Sequence, residues 1–149
     1  SRGFTEEDFA RFHPGGSLGR ALLTRVSDIM RADGALPTVT EDANVFATLD
    51  SMNRARAGAC LILKADGTLA GIFTHGDFAR SFRNDPQVGD KCVASLMTRH
   101  PITVQADALA VEVLKTIGEN RIDDIVVLDT ENKPVGLIDT QDLARLKVV

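Results

Sequence analysis

A chain of 149 residues with 44% hydrophobic and 26% charged residues has the composition of an ordinary globular protein, with room for one domain or two small ones. Seventeen basic and 21 acidic residues give a formal charge of −4, which argues against a nucleic-acid partner because nucleic-acid binding needs a basic face. The apolar runs are only a few residues long, so we expect no membrane-spanning segment.

The cysteines and histidines predict neither a disulfide framework nor a metal centre. Two cysteines, Cys60 and Cys92, are too few for a disulfide framework, and Cys60 lies in an apolar run where a buried thiol is expected. Free thiols are typical of a cytosolic protein. His13, His75 and His100 do not have the spacing of metal ligands. We therefore expect no metal and no resident cofactor.

The first 25 residues have no copy further along the chain. The sequence TEED at residues 5–8 resembles a capping box, so a short helix should follow and end at the HPGG sequence of residues 13–16. A second helix is predicted over residues 17–25. Because the chain does not begin with Met, we expect it to be a fragment of a longer protein.

The rest of the chain contains one pattern twice. The clearest copies are GIFTHGD at residues 71–77 and GLIDTQD at residues 136–142, which are 136 − 71 = 65 residues apart. Two shorter pairs of segments correspond at nearly the same offset: residues 26–30 with 93–97, and 38–39 with 103–104. The two repeats are therefore predicted to cover residues 26–83 and 84–149, with residues 84–91 as a connector.

Each repeat predicts a strand, a helix, two strands and a helix, which is a mixed α+β fold. Apolar spacings of four and three predict the first helix, which we expect to start at Asp42 in one repeat and at Asp107 in the other. Two strands follow in each repeat, joined by DG at residues 66–67 and by ENK at residues 131–133. The predicted strands are residues 59–63, 69–74, 124–128 and 134–139.

This double pattern resembles the cystathionine β-synthase (CBS) domain pair, or Bateman module. The family pattern is a glycine, two apolar residues, Thr or Ser, two variable residues and Asp. Residues 71–77 fit it fully, whereas Asp139 replaces the hydroxyl residue of the second copy. The resemblance implies tandem β-α-β-β-α repeats packed as a pseudo-two-fold pair. It also implies nucleotide binding in clefts between the copies, regulation of an attached enzyme or transporter, and homodimers formed through helical faces.

The leading segment is similar to the junction of arabinose-5-phosphate isomerases, which join a sugar isomerase (SIS) domain to a CBS pair. The similarity lies in GFT at residues 3–5, DFA at 8–10 and HPGGSLGR at 13–20. It implies that residues 1–25 are a linker from a catalytic SIS domain before residue 1. The parent would be a cytoplasmic enzyme of carbohydrate metabolism that serves lipopolysaccharide octulosonate biosynthesis. His13 matches an active-site histidine of that family, but this chain alone is expected to be non-catalytic.

The candidate ligand-binding residues lie at strand ends of the first repeat. Asp77 can accept hydrogen bonds from a ribose diol, and Thr74 can donate one to a phosphate. The alternative is that both residues only cap a helix. Five further residues are assigned to the same site: Pro37, Thr38, Gly58, Ala59 and Arg80. Their alternatives are core packing, a helix-terminating glycine and a solvated surface charge.

A weaker second site is predicted at Asp142, Ile102 and Thr103. Asp142 lacks a partner hydroxyl, because Asp139 stands at the place of Thr74. A carboxylate has no proton to donate and would repel a phosphate. We therefore expect one nucleotide per chain, bound beside Thr74 and Asp77.

Three functions are compatible with these residues. The first is a sensor of a nucleotide, either an adenine nucleotide or a cytidine-monophosphate sugar. The second is a dimerisation scaffold without a ligand. The third, an enzyme in its own right, is weak because no nucleophile–base set or acid/base carboxylate pair can be assembled.

Overall fold

The computed structural model describes residues 17–146. In this range it contains five α-helices: α1 (Ser17–Leu22), α2 (Val45–Ala55), α3 (His75–Asn84), α4 (Ala110–Asn120) and α5 (Thr140–Arg145). It also contains six strands: β1 (Thr38–Thr40), β2 (Ala59–Leu63), β3 (Leu69–Thr74), β4 (Thr103–Gln105), β5 (Asp124–Leu128) and β6 (Pro134–Asp139). The predicted α+β class and the β-α-β-β-α order of each repeat are confirmed. The predicted capping box and first helix, and His13, lie outside the described residues.

The strands form two three-stranded sheets, ordered β1-β2-β3 and β4-β5-β6. In the first sheet β1 runs parallel to β2, with Thr38 opposite Leu61, and β2 runs antiparallel to β3, with Ala59 opposite Thr74. The beginnings of β1 and β2 and the end of β3 therefore lie at one edge of this sheet. None of the helices in residues 17–146 has the length and hydrophobicity that crossing a bilayer requires.

The chain forms two compact units whose boundaries differ from those of the sequence repeats. The first-sheet unit contains residues 33–102 and 132–134, and the second-sheet unit contains the described residues before 33 together with residues 103–131 and 135–146. The segment that leads the first repeat therefore packs on the second sheet, and the segment that leads the second repeat packs on the first sheet. We call residues 26–31 and 93–98 the exchanged segments.

Backbone hydrogen bonds hold each exchanged segment on its sheet. Arg31 N donates to Leu137 O at 2.8 Å, and Leu137 N donates to Arg31 O at 3.0 Å. In the first-sheet unit, Thr98 N donates to Ile72 O at 2.8 Å, and Ile72 N donates to Thr98 O at 2.9 Å. Each exchanged segment thus ends with a residue that is bridged to an outer strand of its sheet.

The glycine of the family pattern makes room for the exchanged segment at the outer strand of each sheet. A Cβ atom on Gly71 would lie 2.6 Å from the carbonyl oxygen of Thr98, and one on Gly136 would lie 2.3 Å from the Met30 sulfur. Real Cβ atoms do not approach other heavy atoms this closely. A side chain at position 71 would therefore displace the Thr98 backbone, and one at position 136 would displace the Met30 side chain.

Each unit has its own apolar core. Buried residues of the first-sheet unit are Val45, Met52, Cys60, Ile62, Phe73, Val88, Val93 and Met97. Those of the second-sheet unit are Val26, Ala110, Val113, Ile125, Val127, Ile138 and Leu143. Val88 belongs to the predicted connector, so this connector contributes to a core. Burial raises the pKa of the Cys60 thiol to about 11, which keeps it protonated at neutral pH.

Two helix boundaries were predicted wrongly. The carboxylate of Asp42 accepts a hydrogen bond from the Thr40 hydroxyl, and helix α2 is capped by Asn44, whose Oδ1 accepts from Ala47 N at 2.8 Å. A turn after β1 places Asp42 before the capping position. In α4 the capping position is Leu109 rather than Asp107, and Leu109 N donates to the Glu112 carboxylate at 2.7 Å.

The helix predicted over residues 17–25 ends at Leu22. Arg25 instead forms a bridge with Leu109, and its Nη1 donates to Asp107 O at 2.6 Å. Leu22 is buried, whereas Leu23 is 42% exposed. The chain therefore leaves the helix to pair through Arg25 with Leu109, earlier than the apolar pattern indicates.

Candidate functional site

The predicted residues of the first site gather at one edge of the first sheet. Pro37 precedes β1, Gly58 and Ala59 mark the start of β2, and Thr74 ends β3. The Pro37 carbonyl accepts from Leu61 N at 3.0 Å, and the Gly58 carbonyl accepts from His75 N at 3.0 Å. The sheet register therefore brings residues from three separate sequence positions to the beginning of helix α3.

Thr74 and Asp77 form a capping box at this beginning of α3. Asp77 N donates to Thr74 Oγ1 at 3.1 Å, and Thr74 N donates to the Asp77 carboxylate at 2.9 Å. Asp77 is buried, with 7% of its surface exposed. The capping role considered for both residues is thus confirmed.

Two further side chains hold the Asp77 carboxylate. The Arg80 guanidinium lies 2.8 Å from Oδ1 and keeps 71% of its side chain exposed. The Thr98 hydroxyl donates to the same carboxylate, at 3.1 Å from Oδ1 and 3.2 Å from Oδ2. Sequence reasoning assigned Arg80 but missed Thr98, although its place directly after Met97 corresponds to the place of Arg31 after Met30.

The second repeat has the same capping box built from two aspartates. Asp142 N donates to Asp139 Oδ1 at 2.8 Å, and Asp139 N donates to Asp142 Oδ2 at 3.0 Å. No partner for Asp139 was predicted from the sequence, and in the structure Arg31 pairs with it. Arg31 Nη2 lies 3.2 Å from Asp139 Oδ2, and its Nε lies 3.5 Å from Asp142 Oδ1. Arg31, like Thr98, comes from an exchanged segment, and sequence reasoning missed it.

Two more carboxylates accompany this pair in the second-sheet unit. Asp123 and Asp124 occupy the places of Gly58 and Ala59, at the same offset of 65 residues. Burial raises the pKa of Asp124 to about 6, and the charges of Asp139 and Asp123 add to the shift. Burial also raises the pKa of Asp142, which the Arg31 charge partly opposes.

The two sheet edges therefore differ in charge. In the second repeat, four carboxylates stand beside two guanidinium groups, those of Arg31 and Arg145. In the first repeat, the carboxylate of Asp77 stands beside the guanidinium of Arg80. These paired groups are closer to electrical neutrality than those of the second repeat, so the first edge suits an anionic ligand better.

The other residues predicted for a weaker second site are divided between the units. Asp142 and Thr103 belong to the second-sheet unit, where Thr103 lies opposite Val126, and Ile102 belongs to the first-sheet unit. Within residues 17–146, no group of three His, Cys, Asp or Glu side chains is arranged to hold a metal ion.

Replacing Asp124 with Asn should stabilise the protein at neutral pH. The folded state holds the Asp124 proton more tightly than the unfolded state, whose reference pKa is 3.8. The free energy of unfolding therefore falls as the pH rises from about 4 to about 6. At pH 7 the gain should be on the order of 1–3 kcal/mol, and it should vanish near pH 4.

Urea denaturation of wild type and Asp124→Asn at pH 4 and pH 7 checks this expectation. Asp50→Asn, which changes an exposed carboxylate on α2, is the matched control and should show no such pH-dependent gain. Equal stability of wild type and Asp124→Asn at pH 7 would contradict the assignment of a raised pKa to Asp124.

Comparison with known proteins identifies the family. The family model of the CBS domain matches this chain twice, at residues 26–84 and 93–148. The arabinose 5-phosphate isomerase KdsD of Pseudomonas aeruginosa is 42% identical over all 149 residues, which cover 46% of that enzyme. The chain thus spans about half the length of the curated relatives that it matches.

Solved structures show the same fold. The crystal structure of the CBS domain protein NE2398 has a TM-score of 0.74 and 27% identity, covering 85% of this chain and 98% of that one. The CBS domain pair of protein MJ0100, in complex with 5′-methylthioadenosine and S-adenosyl-L-methionine, has a TM-score of 0.73 and 23% identity, covering 83% and 99%. With two matched domains over most of its length, the chain belongs to the CBS domain family, in the form of a CBS pair.

Proposed function

We propose that this chain is the regulatory CBS pair of an arabinose 5-phosphate isomerase and is not itself catalytic. The 42% identity to KdsD over the whole chain supports the assignment of the parent enzyme. In this proposal residues 26–83 and 84–149 are the two repeats, and residues 1–25 lead from a SIS domain of the same chain. The isomerase chemistry, including any role of His13, requires that domain, so the purified chain should not convert arabinose 5-phosphate.

We further propose that the chain binds one nucleotide at the edge of the first sheet. The observation that carries this proposal is the gathering of Thr74, Asp77, Gly58 and Ala59 at a nearly neutral sheet edge. Asp77 can accept hydrogen bonds from a ribose diol, and small residues at the start of β2 leave room for a flat base. The adenosyl ligands of the MJ0100 CBS pair support this ligand class.

The other residues of the site have matching chemistry. Thr38 is exposed at the start of β1, directly after the buried Pro37, and in this proposal its side chain lies beside the bound base. The largely exposed Arg80 guanidinium can pair with a phosphate. An adenine nucleotide and a cytidine-monophosphate sugar both carry the diol, base and phosphate that these groups recognise, so both remain proposed ligands.

A thermal-shift panel tests this function. AMP, S-adenosylmethionine, CMP and a cytidine-monophosphate sugar are added to the purified chain, and at least one should raise the melting temperature. A ligand at 100 times its Kd stabilises the folded state by about 2.7 kcal/mol. If no nucleotide raises the melting temperature, the sensor proposal is wrong and the scaffold hypothesis is favoured.

Gly58→Asp is a matched variant for the same panel. Asp123 is the residue of the second repeat that corresponds to Gly58. Because the second repeat carries a side chain at this place, the backbone at position 58 should accept one as well. The added carboxylate should repel a phosphate. About tenfold more nucleotide should then be needed to reach the same thermal shift. The reciprocal Asp123→Gly should leave the shift unchanged.

A second candidate role, homodimerisation through the helices, is favoured by two exposed rings. Phe46 on α2 is 59% exposed and Phe82 on α3 is 48% exposed, and Phe82 stacks on Phe78 with ring centroids 5.6 Å apart. Exposed aromatic rings are typical of interaction surfaces. Sedimentation at micromolar concentration should show a dimer that Phe82→Glu weakens, and a strictly monomeric wild type would contradict this role.

A further inference from the structure

The Asp77 carboxylate is fully occupied by donors from its own unit. Oδ2 accepts from the amide of Thr74 at 2.9 Å and from its hydroxyl at 3.1 Å, and Oδ1 accepts from Arg80 at 2.8 Å. The Thr98 hydroxyl lies within 3.2 Å of both oxygens. A carboxylate has about four acceptor positions. A hydroxyl group of a ligand can therefore bind Asp77 only by replacing one of these donors.

The Thr98 hydroxyl is the donor that is easiest to replace. The amide of Thr74 is fixed by the capping box, and Arg80 is a charged group that binds a carboxylate more strongly than a neutral hydroxyl does. Thr98 is exposed, and its backbone is fixed by the two hydrogen bonds with Ile72. Rotation about one side-chain bond to another staggered rotamer would release the hydroxyl without moving the backbone.

We propose that Thr98 is a displaceable latch on the ligand site: its hydroxyl holds the Asp77 carboxylate in the empty protein and gives way to a ligand hydroxyl. This inference rests on the proposed nucleotide-binding function. It makes Thr98, on an exchanged segment, a residue that sets the affinity of the site. The ligand hydroxyl replaces the hydrogen bond of one hydroxyl to the carboxylate with that of another, so the net gain on binding is smaller than the contact itself.

The second repeat shows what happens when the latch residue is charged. Arg31 occupies the position of Thr98 and pairs with both Asp139 and Asp142. Its side chain is only 9% exposed, and its guanidinium carries a positive charge that a threonine hydroxyl lacks, so it adds an ion pair to the hydrogen bonds. A neutral ligand hydroxyl cannot displace such a pair at comparable cost. The residue after Met30 or Met97 thus decides whether the adjacent carboxylate is available.

Calorimetric titration of the whole chain with AMP and with CMP tests the latch, using Thr98→Val and Thr98→Ser. Thr98→Val keeps the side-chain shape and removes the competing donor. It should lower the melting temperature of the empty protein yet bind the nucleotide about 2- to 10-fold more tightly, the factor that one net hydrogen bond represents. Thr98→Ser, which keeps a hydroxyl, should bind like the wild type.

A merely structural Thr98 would give a lower melting temperature without tighter binding, and this result for Thr98→Val would overturn the latch. Thr98→Arg, which copies Arg31, provides a second test that does not depend on the valine variant folding. It should weaken binding at least about tenfold, as expected for an ion pair that must be broken, and unchanged affinity would also overturn the latch. If the wild type binds none of the four ligands of the thermal-shift panel, the proposed function fails together with the latch, whereas failure of the variants alone leaves the proposed function standing.

Discussion

Arg31→Met is expected to lower the free energy of unfolding by about 3–5 kcal/mol, because removing one partner of a buried ion pair leaves uncompensated charges. Arg31 lies 3.2 Å from Asp139 and 3.5 Å from Asp142, and the Asp142 side chain is 1% exposed. The pKa of Asp142 is raised even with Arg31 present, so losing the guanidinium should make the charged form still less favourable. Urea denaturation at pH 7 measures the cost.

A double variant separates the charge from the packing of Arg31. Arg31→Thr with Asp139→Thr reproduces the Thr98 and Thr74 arrangement of the first repeat, so it should recover most of the stability that Arg31→Thr alone loses. Arg83→Met, at an exposed position on α3, is the control and should change stability by less than about 0.5 kcal/mol. If the double variant is no more stable than Arg31→Thr alone, the ion pairs are not the source of the effect.

Gly71→Ala is expected to lower the free energy of unfolding by about 1–3 kcal/mol, the usual cost of overpacking. The new Cβ would lie 2.6 Å from the Thr98 carbonyl oxygen and 2.8 Å from the Met97 sulfur. The sulfur can move, but the carbonyl belongs to backbone that is bonded to Ile72. The exchanged segment must therefore shift on β3, which also moves the Thr98 hydroxyl away from Asp77.

Gly34→Ala is the matched control for this substitution. A Cβ at Gly34 would meet no atom within 4 Å, and its φ angle is not positive. Comparing the two variants by urea denaturation separates steric crowding from the general effect of replacing glycine. Equal stabilities of Gly71→Ala and Gly34→Ala would show that the exchanged segment of residues 93–98 does not constrain Gly71.

The strands were predictable from the sequence because their signals are local. The predicted limits of residues 59–63, 69–74, 124–128 and 134–139 agree with β2, β3, β5 and β6. Short apolar runs bounded by turn residues fix these limits, and Gly67 with a φ of 86° and Asn132 with a φ of 63° make the turns. A capping role for Thr74 and Asp77 was foreseen as an alternative for the same reason, since a cap depends on residues three apart.

The partners of the capping aspartates were not predictable in this way. Arg31 and Asp139 are 108 residues apart in the chain, and Thr98 and Asp77 are 21 apart. They meet because the exchanged segments pack on the sheet of the other repeat, and no periodicity within one repeat encodes that choice. The alignment of the two repeats did show that Asp124 corresponds to Ala59. The raised pKa of Asp124 depends on burial, however, which only the fold supplies.

The number of nucleotides bound per chain tests the central claim most directly. Isothermal titration calorimetry with the most effective nucleotide of the thermal-shift panel should give one site per chain. The Gly58→Asp variant should weaken this site, and Asp123→Gly should leave it unchanged. One site is predicted because only the first repeat combines a hydroxyl beside its capping aspartate with a nearly neutral sheet edge. Two equivalent sites per chain, or a single site that persists unchanged in Gly58→Asp, would contradict this account.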